Sequence, residues 1–306
     1  MKPKLVVVLG PTASGKTDLS IKLAKKFKGE IVSADSRQVY RGMNIGTGKI
    51  TKKEMQGIPH YLLDVTSPKK RFTVTEYKTL AEKAIKKIRS KNKIPFLVGG
   101  TGFYIQTVVD DVQIPAVKPD WKLRAKLEKK PVPELYKMLK KLDPARARRI
   151  DKNNPRRLIR ALEIVLKTKQ PIPLLSQNKP AFEALFLGVK RGKKELEKLI
   201  EKRLLKRLKS GMIDEVKKLH KSGVSWRRLE EFGLEYRYIA LYLQNKIGYS
   251  RMVEKLQKET EHYAKRQMTW FSARGGSASG GKRDKRIKWI KKYSQAENLV
   301  KNFLKN

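Results

Sequence analysis

The sequence contains 306 residues, of which 73 are Lys or Arg and 29 are Asp or Glu, giving a formal net charge of +44. Such an excess favours a polyanionic partner, either nucleic acid or an anionic membrane surface, over a merely solvated basic surface. The absence of Cys excludes disulfides, a thiolate nucleophile and Cys-ligated zinc. No stretch approaches the roughly 18 apolar residues of a membrane span, so we expect a soluble, cytoplasmic protein.

The first third of the chain alternates strands and helices. Residues 4–9 (KLVVVL) form a continuous apolar run typical of a buried parallel strand, and a glycine-rich turn and a helix follow. A second strand is predicted in GEIVSADS (29–36), a helix in 73–93, and a strand, glycine turn and helix in 94–110. This alternation predicts an α/β fold in which helices flank a parallel sheet.

The character of the chain then changes. A proline-rich connector leads into predicted helices, and FEALFLGVK (182–190) returns as a strand. We predict a helical insertion over 113–180 within a discontinuous core of 1–112 and 181–306. That core continues with helices, a Gly/Ser-rich spacer at 272–286, an edge strand IKWI and a closing helix. The predicted helices of the insertion are 120–129, 133–141 and 154–167, and those that follow it are 193–209, 212–221, 234–244 and 250–272.

The first strand runs directly into a motif that fits G-x-x-x-x-G-K-[ST]. Its glycines let successive backbone N–H groups point inward, and the following helix presents its positive end, so the motif binds phosphate or diphosphate. Lys16 supplies a charge to the outer phosphates, and the Thr17 hydroxyl can ligate Mg²⁺. The motif alone does not distinguish a phosphoryl donor from a diphosphate leaving group. The predicted loop residues are Gly10, Pro11, Thr12, Ala13, Ser14, Gly15, Lys16 and Thr17.

Two polar residues follow the next two predicted strands at the same edge of the sheet. Asp35 ends the second strand, and three roles are open to it: a water-mediated Mg²⁺ ligand, a helix cap or a general base. Thr101 lies in the glycine turn after the next strand, where capping the following helix is the simplest role. The three histidines, His60, His220 and His262, lack metal-ligand spacing, and we expect them to be structural.

Six motifs together resemble one family. They are GPTASGKT, DSRQVYRGMNIGTGK, PHYLLDV, VGGTGFYIQ, DPARARRIDKNNPRRLIRALEI and YAKRQMTWF. In this order, from residue 10 to about residue 271, the chain resembles the bacterial tRNA dimethylallyltransferases, the tRNA isopentenyltransferases or IPP transferases. The segments DSRQVYRGMNIGT and AKRQMTWF are the most specific of the six. The fold that the resemblance implies is a P-loop NTPase-like sheet with an inserted all-helical tRNA-binding domain.

The resemblance implies a reaction for the phosphate loop. The family transfers a dimethylallyl group from dimethylallyl diphosphate to the N6 amine of adenine 37 in tRNAs that read codons beginning with U. By this resemblance, Mg²⁺, the loop N–H groups from Thr12 to Gly15 and Arg203 help to hold the leaving diphosphate. Asp35 takes the amine proton, and Thr101 lies near the reacting centre. A solvated helix face is the alternative for Arg203, whose segment is crowded with basic residues.

The resemblance also implies that the helical insertion grips the anticodon stem-loop. For the arginines of NPRRLIRALE the alternative is ordinary surface charge, and for Trp270 it is the core. We expect a monomer, because one substrate must enter from each side of a channel. The predicted tRNA-binding residues are Asp35, Ser36, Arg37, Gln38, Thr101, Leu123, Arg156, Arg157, Arg160, Lys265, Arg266, Gln267 and Trp270.

The sequence departs from the family pattern in three places. Gly48 stands in GTGK where Ala is commoner, and Glu235 stands in EFGLEYRYIALYL where Gly is usual. The segment GGSASGG has no family counterpart. The charge of +44 also predicts salt-sensitive, non-specific RNA binding.

Three alternative functions remain open from the sequence. A small-molecule P-loop kinase would explain the phosphate loop but not DSRQVYRGMNIGT. An isopentenyl transferase that acts on free adenine nucleotides would share Asp35 and Thr101 but would not need a basic insertion. A non-catalytic RNA-binding protein would have no use for Lys16 or Thr17.

Overall fold

Six strands form one parallel sheet in the order β3-β2-β4-β1-β5-β6. The computed structural model describes residues 2–173, 180–272 and 284–305. The predictions of an α/β fold with a parallel sheet, and of IKWI as an edge strand, are confirmed. The strands are β1 Lys4–Leu9, β2 Gly29–Ala34, β3 His60–Tyr61, β4 Ile94–Gly99, β5 Glu183–Val189 and β6 Ile287–Ile290.

Helices cover both faces of the sheet and form two further hydrophobic cores. They are α1 Lys16–Lys26, α2 Lys52–Met55, α3 Val74–Ser90, α4 Gly102–Val109, α5 Trp121–Glu128, α6 Val132–Leu142, α7 Pro144–Ala147, α8 Pro155–Thr168, α9 Lys193–Lys209, α10 Met212–Lys221, α11 Trp226–Phe232, α12 Leu234–Leu243, α13 Tyr249–Ser272 and α14 Tyr293–Lys305. In the described parts of the chain, no helix combines the length and the apolarity needed to cross a bilayer.

Strand β1 lies in the middle of the sheet, which explains its continuous apolar run. Successive side chains of a strand point to opposite faces. Leu5 and Val7 pack in the cluster that contains α3 and α4, and Val6 and Val8 pack in the cluster that contains α1 and α14. Because helices cover both faces, neither set of side chains can be polar.

The strand register brings the predicted site residues to one edge. Leu9 pairs with Gly99, and Ala34 also pairs with Gly99, so the carboxyl ends of β1, β2 and β4 stop at the same level. The phosphate loop, Asp35 and Thr101 immediately follow these three ends. This edge is where ligands bind in open parallel sheets.

Helices α9–α13 form a second core that does not belong to the sheet. Its centre includes Met43 from the loop after β2 together with Met212, Leu229, Ile239 and Leu256. The sequence predicted most of these helices, but α11 was not predicted. The second core places α9 and the α11–α12 turn opposite the phosphate loop.

The helical segment between α4 and β5 has a third core, built by α5–α8. Leu135, Leu139 and Leu162 are at its centre. Beside them lies Glu163, whose side chain is fully buried and accepts hydrogen bonds from the Arg124 guanidinium at 2.7 and 2.9 Å. Burial alone would raise the pKa of Glu163, but the bonds from Arg124, the Asp120 N–H and Arg160 hold it below its ordinary value.

Candidate active site

A cavity of about 410 Å³ opens at the carboxyl edge of the sheet. Its walls come from the phosphate loop, the loop after β2, α9, the α11–α12 turn and α13. Arg156, at the start of α8, also lines it, so the helical segment between α4 and β5 contributes to the same cavity. These six segments, which lie far apart in the sequence, therefore surround one space.

The phosphate loop has the backbone that its motif requires, but not all of its N–H groups are free. Gly15 has φ +91°, a conformation that favours glycine, and α1 begins immediately after it. The Thr12 N–H donates to Gln267 Oε1 at 2.8 Å, and the Ser14 N–H donates to the Pro11 carbonyl at 3.4 Å. The N–H groups of Thr12 and Ser14 therefore already have acceptors within the protein, and the role of the loop N–H groups from Thr12 to Gly15 toward a diphosphate stays a prediction.

Lys16 and Arg203 are close enough to affect each other's charge. Burial and the neighbouring Arg203 lower the pKa of Lys16 to about 8, although Asp35 acts in the opposite direction. Burial and Arg207 lower the pKa of Arg203 to about 10. The alternative of a solvated helix face does not describe Arg203, which lines the cavity. Both pKa values are lowered first by burial and then by the repulsion between neighbouring cations.

Asp35 is held in a defined orientation by the turn that follows β2. Its Oδ1 accepts hydrogen bonds from the N–H groups of Arg37 at 2.8 Å and Gln38 at 3.3 Å. Thr101 precedes α4 but makes no side-chain cap there. Its Oγ1 instead accepts a hydrogen bond from the Ser36 N–H at 3.1 Å. Thr101 therefore fixes the turn that carries Asp35, while Asp35 and Ser36 line the cavity and Thr101 stands behind them.

The residues present fit a Mg²⁺ ion that binds together with a diphosphate. Thr17, at the start of α1, lines the cavity with Asp35. Within residues 2–173, 180–272 and 284–305, no group of three His, Cys, Asp or Glu side chains could hold a metal by itself. Mg²⁺ commonly takes only one or two protein ligands and completes its shell with phosphate oxygens and water.

Seven of the residues predicted to bind tRNA line the cavity. They are Asp35, Ser36, Arg37, Gln38, Arg156, Arg266 and Gln267. Lys265 and Arg157 are exposed but lie outside its lining. Part of the predicted Gly/Ser spacer, 273–283, lies outside the described residues.

The remaining predicted tRNA-binding side chains are engaged within the protein. Arg160 pairs with Glu163 and donates to the Val117 carbonyl at 3.0 Å. Leu123 packs on the insertion core, and Trp270 packs on the sheet core with its ring 6.2 Å from that of Phe103. Gln267, already named in the cavity lining, is engaged as well: it is 6% exposed, and its Nε2 donates to the Gly100 carbonyl at 2.9 Å.

Sequence reasoning missed residues whose partners are far away in the chain. Glu215 accepts hydrogen bonds from the N–H groups of Asn44, Ile45 and Gly46 at 2.6–3.0 Å, and so orders one wall of the cavity. His60 and Tyr263 also line the cavity. Burial lowers the pKa of His60, which favours its neutral form. The only sequence signal for His60 and Tyr263 was their place in the motifs PHYLLDV and YAKRQMTWF, and Glu215 lies in none of the six motifs.

Fold and motif together define a P-loop-like protein whose glycine-rich loop opens into an arginine-lined cavity. The family model described as IPP transferase matches residues 38–274. The chain therefore belongs to the IPP transferase family. It is similar to tRNA dimethylallyltransferase 1 of Syntrophus aciditrophicus, with 45% identity over 89% of this chain and 90% of that protein. It is also similar to a tRNA dimethylallyltransferase of Acetivibrio thermocellus, with 38% identity over 97% of this chain and 95% of that protein.

Solved structures agree with this assignment. The full-length tRNA isopentenylpyrophosphate transferase of Bacillus halodurans superposes with a TM-score of 0.71 and 34% identity, covering 99% of this chain and 96% of that one. A eukaryotic dimethylallyltransferase acting on tRNA superposes with a TM-score of 0.78 and 27% identity. That match covers 99% of this chain and 77% of the eukaryotic chain.

Proposed function

We propose that this chain is a tRNA dimethylallyltransferase. It transfers a dimethylallyl group from dimethylallyl diphosphate to the N6 amine of adenine 37 in the anticodon loop of tRNAs that read codons beginning with U. The products are N6-dimethylallyladenosine and diphosphate. The protein acts as a monomer in the cytoplasm, and its relatives in the family carry the corresponding name.

The observation that carries the proposal is a carboxylate and a cationic phosphate site in one cavity. Asp35 lines the cavity together with Lys16 and Arg203. Prenyl transfer to an amine needs both groups, because a proton must leave the nucleophile while negative charge develops on the leaving group. A binding module would need neither a free carboxylate nor buried cations.

The chemical step exchanges one bond for another. The adenine N6 attacks C1 of the dimethylallyl group, and the C1–O bond breaks with its electron pair staying on the diphosphate. Asp35 accepts the proton that N6 loses. Its Oδ1 is already engaged by the N–H groups of Arg37 and Gln38, so its Oδ2 is the oxygen left to take this proton. Lys16 and Arg203 stabilise the charge that develops on the diphosphate.

Thr17 and Thr101 support this step from either side. The Thr17 hydroxyl would hold Mg²⁺, which when bound supplies further neutralisation of the leaving diphosphate. Thr101 Oγ1 accepts the Ser36 N–H and so holds the turn that carries Asp35 in place from behind the cavity wall. The two threonines thus have different tasks: Thr17 would hold the metal, and Thr101 positions the turn that carries Asp35.

The tRNA must deliver its adenine into the cavity. The base has to leave its stack, and this costs less in a loop than in a duplex. Arg37, Arg156 and Arg266 line the cavity and can pair with the phosphates of the extruded nucleotide. The helical insertion holds the anticodon stem, with Arg157 and Lys265 on the adjoining surface.

The proposal is tested by incubating the protein with dimethylallyl diphosphate, Mg²⁺ and an unmodified anticodon stem-loop RNA that carries adenines at positions 36–38. Mass spectrometry should show a gain of one C5H8 unit. Asp35→Asn should lower the rate about 10²–10⁴-fold, as expected for loss of a general base. The control is Asp214→Asn, because the Asp214 side chain is 67% exposed on α10, outside the cavity.

The same assay separates the alternatives. A gain of C5H8 on AMP but not on RNA would indicate a transferase for free nucleotides. Phosphorylated product formed from ATP without a prenyl donor would indicate a kinase. Tight RNA binding with no mass gain on any acceptor would refute the enzyme assignment.

A further inference from the structure

Two departures from the family pattern meet in the cavity around a single side chain, Arg207. Arg207 Nη1 pairs with Glu235 Oε1 at 3.1 Å and donates to the Gly46 carbonyl at 3.1 Å. The other departure, Gly48, lies beneath the same guanidinium. A Cβ atom at Gly48 would lie 1.8 Å from Arg207 Nη2 and 2.3 Å from Arg203 Nη2.

Gly48 therefore leaves the room that two neighbouring guanidiniums occupy. Its φ of +57° is also a conformation that disfavours residues with a Cβ atom. Because Arg207 and Arg203 both approach Gly48 within this distance, they present their Nη2 groups side by side. Arg203, Arg207 and Lys16 all line the cavity, so the three cations face one space.

The two guanidiniums have unused hydrogen-bonding capacity. Within the described part of the chain, Nη1 of Arg207 has its two acceptors, whereas its Nη2 and the whole Arg203 guanidinium have none. Both Arg207 and Glu235 have side chains that are only 14% exposed. Guanidinium N–H groups that line a cavity and have no acceptor in the protein are available to an anionic ligand.

We propose that Arg207 is a second diphosphate-binding arginine, beside Arg203, and that Glu235 is the residue that positions it. The inference rests on the proposed function of the cavity. Glu235 and the Gly46 carbonyl hold Nη1, which turns Nη2 toward the space that Lys16 and Arg203 also face. Two parallel arginines match the several oxygens of a diphosphate.

The electrostatics of the cavity agree with this assignment. Arg207 contributes to the lowered pKa values of both Lys16 and Arg203, and burial is the larger cause in each case. Burial raises the pKa of Glu235, while Arg207 opposes that rise. One carboxylate thus compensates part of the repulsion among three cations before the donor arrives.

The test measures the affinity of dimethylallyl diphosphate with Mg²⁺ by calorimetry, without RNA so that no turnover occurs. Arg207→Met should weaken binding about ten- to a hundredfold, the effect of losing one charge-assisted hydrogen bond. The control is Lys209→Met, which removes one charge from the exposed end of the same helix and should leave the affinity within twofold. Thermal melting confirms that each variant is folded.

Two variants of Glu235 test its positioning role. Glu235→Ala removes the acceptor of Arg207 Nη1 and should weaken donor binding about fivefold or more. Glu235→Gln keeps an acceptor oxygen and removes a negative charge, so it should restore at least the wild-type affinity. If both variants weaken binding equally, or neither does, Glu235 does not act through Arg207.

Lys16→Met separates this inference from the proposed function on which it rests. Loss of donor affinity in Lys16→Met but not in Arg207→Met would overturn the role of Arg207 and leave the diphosphate site intact. Unchanged affinity in both variants would overturn the diphosphate site itself. A loss in both, with the predicted contrast at Glu235, is the expected result.

Discussion

Gln267 links the phosphate loop to the glycine turn that follows β4. It belongs to α13, yet its Oε1 accepts from the Thr12 N–H and its Nε2 donates to the Gly100 carbonyl. Gln267→Met keeps the size of the side chain and removes both bonds. Leaving the buried Gly100 carbonyl without its donor should lower the free energy of unfolding by about 1–3 kcal/mol, and leaving the partly buried Thr12 N–H without its acceptor should lower it by somewhat less.

The total cost to the free energy of unfolding should be about 2–4 kcal/mol. Because the entropy of unfolding grows with chain length, each kcal/mol lowers the melting temperature of a 306-residue chain by about 1.5–2 °C, so the Tm should fall by about 3–8 °C. The phosphate loop also loses its hydrogen bond to α13, so the KM for dimethylallyl diphosphate should rise. Because Gln267 is 6% exposed, the affinity of folded protein for tRNA should not change.

Three measurements check the prediction: thermal melting, donor KM at saturating RNA, and RNA affinity by filter binding. The matched control is Gln257→Met on the same helix, where the amide bonds Glu261 and should contribute less than about 0.5 kcal/mol. The reasoning fails if Gln267→Met leaves Tm and donor KM unchanged. A selective loss of RNA affinity would instead support a direct contact between Gln267 and tRNA.

Three further predictions follow from the site and its surroundings. Because the pKa of Lys16 is lowered to about 8, the affinity for dimethylallyl diphosphate should be highest below about pH 7 and should fall as the pH rises through 8. Calorimetry should show no such dependence of affinity on pH for Lys16→Met. Arg156→Ala should weaken RNA binding and lower the salt slope of log Kd by about 0.7–0.9, because Arg156 lines the cavity. Arg160→Met should instead destabilise the α5–α8 segment by about 1–3 kcal/mol in urea titrations, because it leaves Glu163 with fewer partners. The reverse pattern would contradict the different placement of the two arginines. Glu215→Gln should lower the free energy of unfolding by about 2–4 kcal/mol, because an amide cannot accept from three N–H groups as a carboxylate does; an unchanged urea midpoint would show that other contacts order the wall.

Local patterns predicted most of the secondary structure. The apolar run of β1 indicated a strand buried on both faces, and alternate residues do pack in two different clusters. The helix at 73–93 was predicted from its spacing, and it begins with a capping box between Thr73 and Glu76. In these cases the determining contacts lie within a few residues, so the sequence contains them directly.

The supporting contacts of the site could not be predicted in this way. Gln267 is 255 residues from Thr12, and Glu215 is 171 residues from Asn44. A sequence pattern does not reveal such pairs, because nothing local distinguishes Glu215 from the exposed acids of neighbouring helices. Arg207 could not be predicted for the same reason. In the sequence it is one of many cations of a basic helix, and only the packing of the second core places it in the cavity lining.

Helix α13 belongs to two cores at once. Met252 and Leu256 pack in the second core, and Phe271 packs in the sheet core. With 24 residues the helix is about 36 Å long, enough to reach from one core to the other.

As a result, the molecule has no self-sufficient catalytic half. A fragment that ends before α13 would keep the phosphate loop and Arg203 but lose Gln267, the acceptor of the Thr12 N–H, and the remaining fragment would contain α13 without the loop or Arg203. Shared burial along one rigid helix should make both cores melt in a single transition. Assembly of the cavity therefore depends on both cores, because α13 contributes to its lining and packs in each of them.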